Sequence, residues 1–141
     1  AEEFCRTELC PRLSAQGLSR MDEHRRAGHH IVLVTGSLDF LIAPLAALLE
    51  VPTLLAARLE QQEQQFTGHV RAPLPYGPGK RELIVRLTRD SGIDLAQSFA
   101  YGDSPGDVEL LEMVGHPLVV NPIRGMDRIA QRNGWPMTTW T

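Results

Sequence analysis

The chain has 141 residues, 43% of them hydrophobic and 22% charged, with a net charge of −3 at pH 7. That length suffices for one domain that buries roughly two-thirds of the surface its unfolded chain would expose, without disulfide or metal staples. Lys and Arg are scattered among the acids with no basic stripe, and no signal peptide or membrane-spanning run is readable, so nucleic acid and membrane are excluded as expected partners and a cytoplasmic location is expected.

In chain order, Cys5 and Cys10 come first, five apart in a helix-compatible segment. Helical spacing would turn them away from one another, so neither a disulfide nor a metal pair is expected, in keeping with a reducing compartment. Residues 12–28 read as a leading helix ending at Gly28. The run Ile31-Val32-Leu33-Val34-Thr35 reads as a strand over 31–35, followed by a helix over 38–49 and a strand over 53–57. The segment 65–72, containing Phe-Thr-Gly-His-Val, predicts a small β-hairpin. Pro73, Pro75, Gly77, Pro78 and Gly79 then form a loop. A helix over 80–91, a strand over 98–101, a helix over 105–114, a strand over 117–120 and a helix over 124–133 complete the pattern. Alternating strand and helix means a parallel sheet. The apolar strands lack polar alternation, as expected where helices cover both sheet faces. The fold class is therefore α/β, a Rossmann-like parallel sheet.

Three groups of residues fall at strand or helix ends of that sheet, where ligands of open α/β folds bind. Thr35 stands at the end of its strand, Gly36 would let an anion approach the backbone, and Ser37 could cap the next helix. Taken alone, Thr-Gly-Ser reads more readily as an ordinary strand-to-helix turn. Lys80 lies in the first turn of its helix, where the macrodipole disfavours a cation by a few tenths to about one kcal/mol. Taken alone, it reads as a solvated surface lysine, although a bound phosphate would reverse that argument. Asp103 follows a strand and the flexible Gly102, which makes it a hard-oxygen ligand candidate for Mg²⁺. Asp107 is also the acid of a capping box, Ser104-Pro105-Gly106-Asp107, and so is weaker evidence. No Gly-x-Gly-x-x-Gly follows any predicted strand, which argues against a dinucleotide-binding domain.

Taken together and in this order, the residues resemble the haloacid dehalogenase superfamily of phosphohydrolases, specifically its phosphoserine-phosphatase-like branch. Thr35 resembles that family's second motif, Lys80 its third, and Gly102-Asp103-Ser104 with Asp107 its fourth. The similarity runs from about His24 to Trp140, including Gly28-His29, Gly115-His116-Pro117 and Asn121-Pro122. It implies Mg²⁺-dependent transfer of a phosphoryl group from a small phosphorylated substrate to an aspartate, followed by hydrolysis. Thr35, Gly36, Ser37 and Lys80 would bind the phosphoryl group, Thr35 and Lys80 acting in catalysis. Asp103 and Asp107 would serve the metal. The departure is at the family's opening strand, which ends in Asp-x-Asp: no such pattern occurs anywhere in the chain. The resemblance therefore implies a core, 21–141, without its first central strand and most of its helical cap, with 1–20 a remnant of the cap or of a connecting helix. The expected function is that of the C-terminal part of such a phosphatase, inactive alone. The alternative is a non-catalytic, degenerate phosphate- or Mg²⁺-binding module with a structural or regulatory role.

Overall fold

Apolar runs that end at turn residues pair in parallel with one another, as the α/β reading requires. The computed structural model describes residues 1–75 and 77–141, which fall into two units, Ala1–Pro75 with Thr141, and Tyr76–Trp140.

The first unit opens with short helical turns: α1 (Glu2–Phe4), a π-helical turn over Cys5–Leu9 and a 3₁₀ turn over Cys10–Arg12. Helix α2 (Ala15–Arg26) starts where Ser14 supplies a cap, its Oγ accepting from the Gly17 N–H at 3.1 Å. The same hydroxyl donates to the Thr141 carbonyl at 2.7 Å. Gly28, at φ 80°, ends the helical path in a conformation that favours glycine. Strand β1 (Val32–Leu38) then pairs in parallel with β2 (Thr53–Ala57) through α3 (Asp39–Leu48). Ile42 and Ala46 on α3, Val51, and Ala56 and Ala57 on β2 are buried.

Two local expectations need correction here. Strand β1 does not stop at Thr35 but continues through Gly36 and Ser37 to Leu38, with its register to β2 shifting between Val34 and Leu38. Ser37 therefore lies inside β1 and caps nothing; the N-cap of α3 is Leu38, which makes no side-chain bond. The cause is the pairing of Leu38 with Ala57, which carries β1 past Thr35, while the Thr35 hydroxyl accepts the Ser37 N–H at 3.1 Å within the register shift. Likewise the segment 65–72 is not a hairpin by itself. Strand β4 (Gln65–Val70) pairs antiparallel with β3 (Leu59–Gln62), and Glu63 and Gln64, at φ 52° and 66°, form the turn. Two successive positive φ values match the turn that follows strand twist.

The second unit begins with α4 (Pro78–Ser91), which ends at Gly92 in the left-handed region. Strand β5 (Phe99–Gly102) leads through a 3₁₀ turn over Pro105–Asp107 into α5 (Val108–Met113), then β6 (His116–Val120), α6 (Met126–Asn133) and β7 (Met137–Thr138). The sheet order is β5-β6-β7, all parallel. Its core is Ala100, Leu111, Val119, Met126 and Ala130, with Ile129 and Trp135 packed against it. Val119, Met126 and Ala130 have no accessible surface, so the centre strand β6 and α6 are the most deeply held elements. Asn121, at φ 48°, clasps the C-terminal segment, accepting from the Trp140 N–H at 2.9 Å and donating to its carbonyl at 3.0 Å. No helix among the described residues is long and apolar enough to cross a membrane.

Candidate phosphate and metal site

Lys80 is the third residue of α4, after Pro78 and Gly79, and it is 4% exposed. A lysine there is costly to bury unless its charge is met, because the helix N-terminus is already positive. Its Nζ donates to Asp107 Oδ1 at 2.9 Å. The expectation of a solvated lysine therefore fails, and the reason is a partner 27 residues away.

Asp107 is engaged through its second oxygen as well. Oδ2 accepts from the backbone N–H of Asp103 at 3.0 Å, from that of Ser104 at 3.3 Å and from the Ser104 hydroxyl at 3.4 Å. One carboxylate thus closes the turn after β5 and ties it to α4. Burial works to raise the pKa of Asp107, but the Lys80 ammonium and the backbone donors at 103 and 104 outweigh it and hold the carboxyl below its usual range. The turn leaves no room at Gly102: a Cβ there would stand 2.6 Å from the Asp107 Cβ and 2.8 Å from its Oδ2.

Asp103 behaves in the opposite way. Partial burial, and then the neighbouring Asp107 charge, push its carboxyl above the ordinary range. Its carbonyl accepts from the Ile123 N–H at 2.9 Å, which fixes the backbone while the residue remains exposed. An exposed carboxylate beside a second acid is a hard-oxygen donor whose strain a cation would relieve. Mg²⁺ is commonly held by one or two protein carboxylates, with water and substrate phosphate completing the shell. Asp103 fits that pattern, whereas Asp107 has both oxygens committed within the protein. Among the described residues no group of three or more His, Cys, Asp or Glu could hold a metal.

Lys80, Asp103 and Asp107 are therefore brought together in the second unit. Thr35, Gly36 and Ser37 belong to the first, where Thr35 is half-buried and Gly36 and Ser37 are exposed. The first unit also has a cleft of about 670 Å³ beside the β3–β4 hairpin, lined by Phe40, Phe66, Arg71 and the Asp39–Arg58 pair at 3.9 Å. Ser104 takes its expected place in the capping box with Asp107, and its backbone N–H and hydroxyl both turn to Asp107 Oδ2.

A family model, haloacid dehalogenase-like hydrolase, matches residues 1–112, a span that includes Thr35, Lys80, Asp103 and Asp107. The chain belongs to that family. A probable phosphatase of Mycobacterium tuberculosis (strain ATCC 25618 / H37Rv) is 34% identical over 133 residues, covering 94% of this chain and 46% of the relative. The phosphoserine phosphatase SerB1 of the same organism is 30% identical over 112 residues, covering 79% and 36%, which accords with the phosphoserine-phosphatase-like branch. Among solved structures, a protein of unknown function from Bordetella pertussis Tohama I superposes with a TM-score of 0.86 at 34% identity, covering 96% of this chain and 62% of that one. The chain spans less than half the length of the two curated relatives.

Proposed function

We propose that this chain carries the phosphate-neutralising and metal-holding part of a Mg²⁺-dependent phosphomonoester hydrolase that works through an aspartyl-phosphate. The observation that carries this reading is the buried Lys80–Asp107 pair, whose acid also holds the Asp103 backbone. Lys80 Nζ offsets charge on the phosphoryl group. The Thr35 hydroxyl, with Gly36 and Ser37 beside it, binds phosphoryl oxygens. Asp103 holds the metal, and Asp107 positions Lys80 and the Asp103 turn. Bound Mg²⁺ would neutralise phosphoryl oxygens and orient them. The substrate class is a small phosphorylated molecule, and the setting is the cytoplasm. Residues 1–20, which form the helical turns and the start of α2, are assigned to a cap or connecting helix, and 21–141 to the core.

No Asp-x-Asp occurs in the sequence, so none of its residues takes the role of nucleophile, and the 141-residue chain alone is proposed to have no turnover. The alternative of a degenerate, non-catalytic module is less well supported, because a decayed site has no reason to keep a buried lysine paired.

Two measurements test this reading. The chain is assayed with p-nitrophenyl phosphate and Mg²⁺, and its Mg²⁺ affinity is measured by calorimetric titration for the parent, Asp103→Asn and Asp107→Asn. The expectation is no turnover and a loss of affinity larger at Asp103 than the roughly 10- to 100-fold typical of an outer-shell group such as Asp107. Metal-dependent turnover well above that of Asp103→Ala would mean that a nucleophile lies within the chain. An equal or larger loss at Asp107 would overturn the division of roles.

A further inference from the structure

Cys5 and Cys10 do face one another, contrary to the reading from helical spacing. In an α-helix, residues five apart point about 140° away from each other around the axis. The chain instead makes a π-helical turn over Cys5–Leu9, with the Cys10 N–H donating to the Cys5 carbonyl, the i to i+5 bond of that helix. The wider turn brings the two Sγ atoms to 3.7 Å, one thiol in hydrogen-bonding contact with the other. Both cysteines are free, Cys5 buried and Cys10 half-buried. Rare π-helical turns often mark functional positions.

From this geometry we propose that Cys5 and Cys10 are a thiol pair poised for reversible oxidation to an intramolecular disulfide by a small peroxide. Cys10, the more accessible sulfur, attacks the peroxide. Its S–O bond forms as the O–O bond breaks, giving a sulfenic acid and one water. The Cys5 sulfur then attacks the Cys10 sulfur. The S–S bond forms, the S–O bond breaks, and the departing hydroxide takes the Cys5 proton as a second water. The two thiols together lose two electrons and the peroxide gains them. A thiol reductant reverses the change by exchange through a mixed disulfide. The π turn packs on α3, the helix that follows the Thr35–Ser37 segment, so the modified site lies within the first unit and not in the acidic turn.

The test is exposure of the reduced 141-residue chain at low concentration to a small excess of hydrogen peroxide, followed by intact mass, thiol counting and peptide mapping. The expected product is monomeric, lighter by two hydrogens, with Cys5 linked to Cys10, and returns to the reduced mass with dithiothreitol. It should form at least about tenfold faster in the folded chain than in urea, since the fold pre-orients the sulfurs. Cys10→Ser, at the less buried position, should abolish this product and leave the Cys5 thiol reduced under the same exposure. A Cys10 sulfinic acid with Cys5 still free, disulfide-linked dimers, the same rate in urea, or no reaction at all would each overturn the proposal.

Discussion

The Thr35–Ser37 segment lies in the C-terminal part of parallel strand β1 and the Asp103–Asp107 turn follows parallel strand β5, yet they are held in different ways. The first is fixed by a bond to a residue two positions on, Thr35 Oγ1 to the Ser37 N–H, in a segment that is half-buried to exposed. The second is closed on itself by Asp107 Oδ2 and fastened to a distant helix by the Lys80 ion pair. Local bonds shape a backbone cheaply and are lost cheaply. A desolvated ion pair instead makes each partner depend on the other. The acidic turn should therefore be the brittle region and the threonine segment the tolerant one.

The largest break in that comparison comes from Lys80→Met. It leaves Asp107 partly buried with no cation, and removing one member of a buried pair typically costs about 3–5 kcal/mol. Urea denaturation at neutral pH should show a loss in that range, and the double variant Lys80→Met/Asp107→Asn, which removes the unpaired charge but keeps an acceptor for the turn, should recover part of it. A loss no larger than that from removing the exposed Arg86–Glu82 pair, which sits on the same helix at 2.6 Å, would mean the acidic turn is not specially held.

Gly102→Ala should come next. Its Cβ would meet the Asp107 side chain well inside van der Waals distance, so either the carboxylate or strand β5 must move. Overpacking of this kind costs about 1–3 kcal/mol. Because the displaced group is the partner of Lys80, the carboxyl of Asp107 should lose some of its depression, read by carboxylate NMR titration. An unchanged titration with unchanged stability would show that the turn has slack.

Acidity sharpens the comparison within the turn. Asp107 is lowered relative to the unfolded chain, so the unfolded state binds more protons over the window below the ordinary carboxylate range. The stability it supplies is present above that range and is lost as pH falls through the folded-state value. Asp103 is raised, so the folded state binds the extra proton and the sign reverses: its charge disfavours folding above the raised value, and that penalty is gone once pH falls below the ordinary one. Asp103→Asn should accordingly raise the melting temperature slightly at neutral pH, while Asp107→Asn lowers it. Opposite signs in one five-residue turn are the decisive outcome; two losses would mean that Asp103 is not under strain from its neighbour.

Legibility in the sequence follows the same division between local and distant causes. Strand β2 was read over its full range, Thr53–Ala57, because Pro52 and an apolar run mark it locally. Strand β3 was not, since Leu59-Glu60-Gln61-Gln62 is mostly polar and becomes a strand only by pairing with β4. Strand β7 is two residues long and exists through β6. The positions of Lys80, Asp103 and Asp107 along the chain were visible, but the burial of Lys80 was not, because nothing near it in sequence announces Asp107. The proximity of Cys5 and Cys10 is illegible for a related reason: an α-helical period turns residues five apart away from each other, whereas the chain makes a wider turn here.

The smallest effect should come from Thr35→Val, which keeps the β-branched shape and removes the hydroxyl. The Ser37 N–H loses its acceptor, but Ser37 is exposed and water can replace the bond, so the cost should lie below the roughly 1 kcal/mol of a typical intramolecular hydrogen bond. Valine also favours the extended backbone that β1 already has through this segment, which offsets part of the loss. Stability therefore hardly distinguishes this variant from the parent, and phosphate affinity is the informative readout. Phosphate binding to the chain, followed by ³¹P NMR, should weaken in Thr35→Val by more than its change in stability can explain. If Thr35→Val instead unfolds the chain, or binds phosphate as the parent does, then Thr35 serves β1 alone and the phosphate role passes to Lys80.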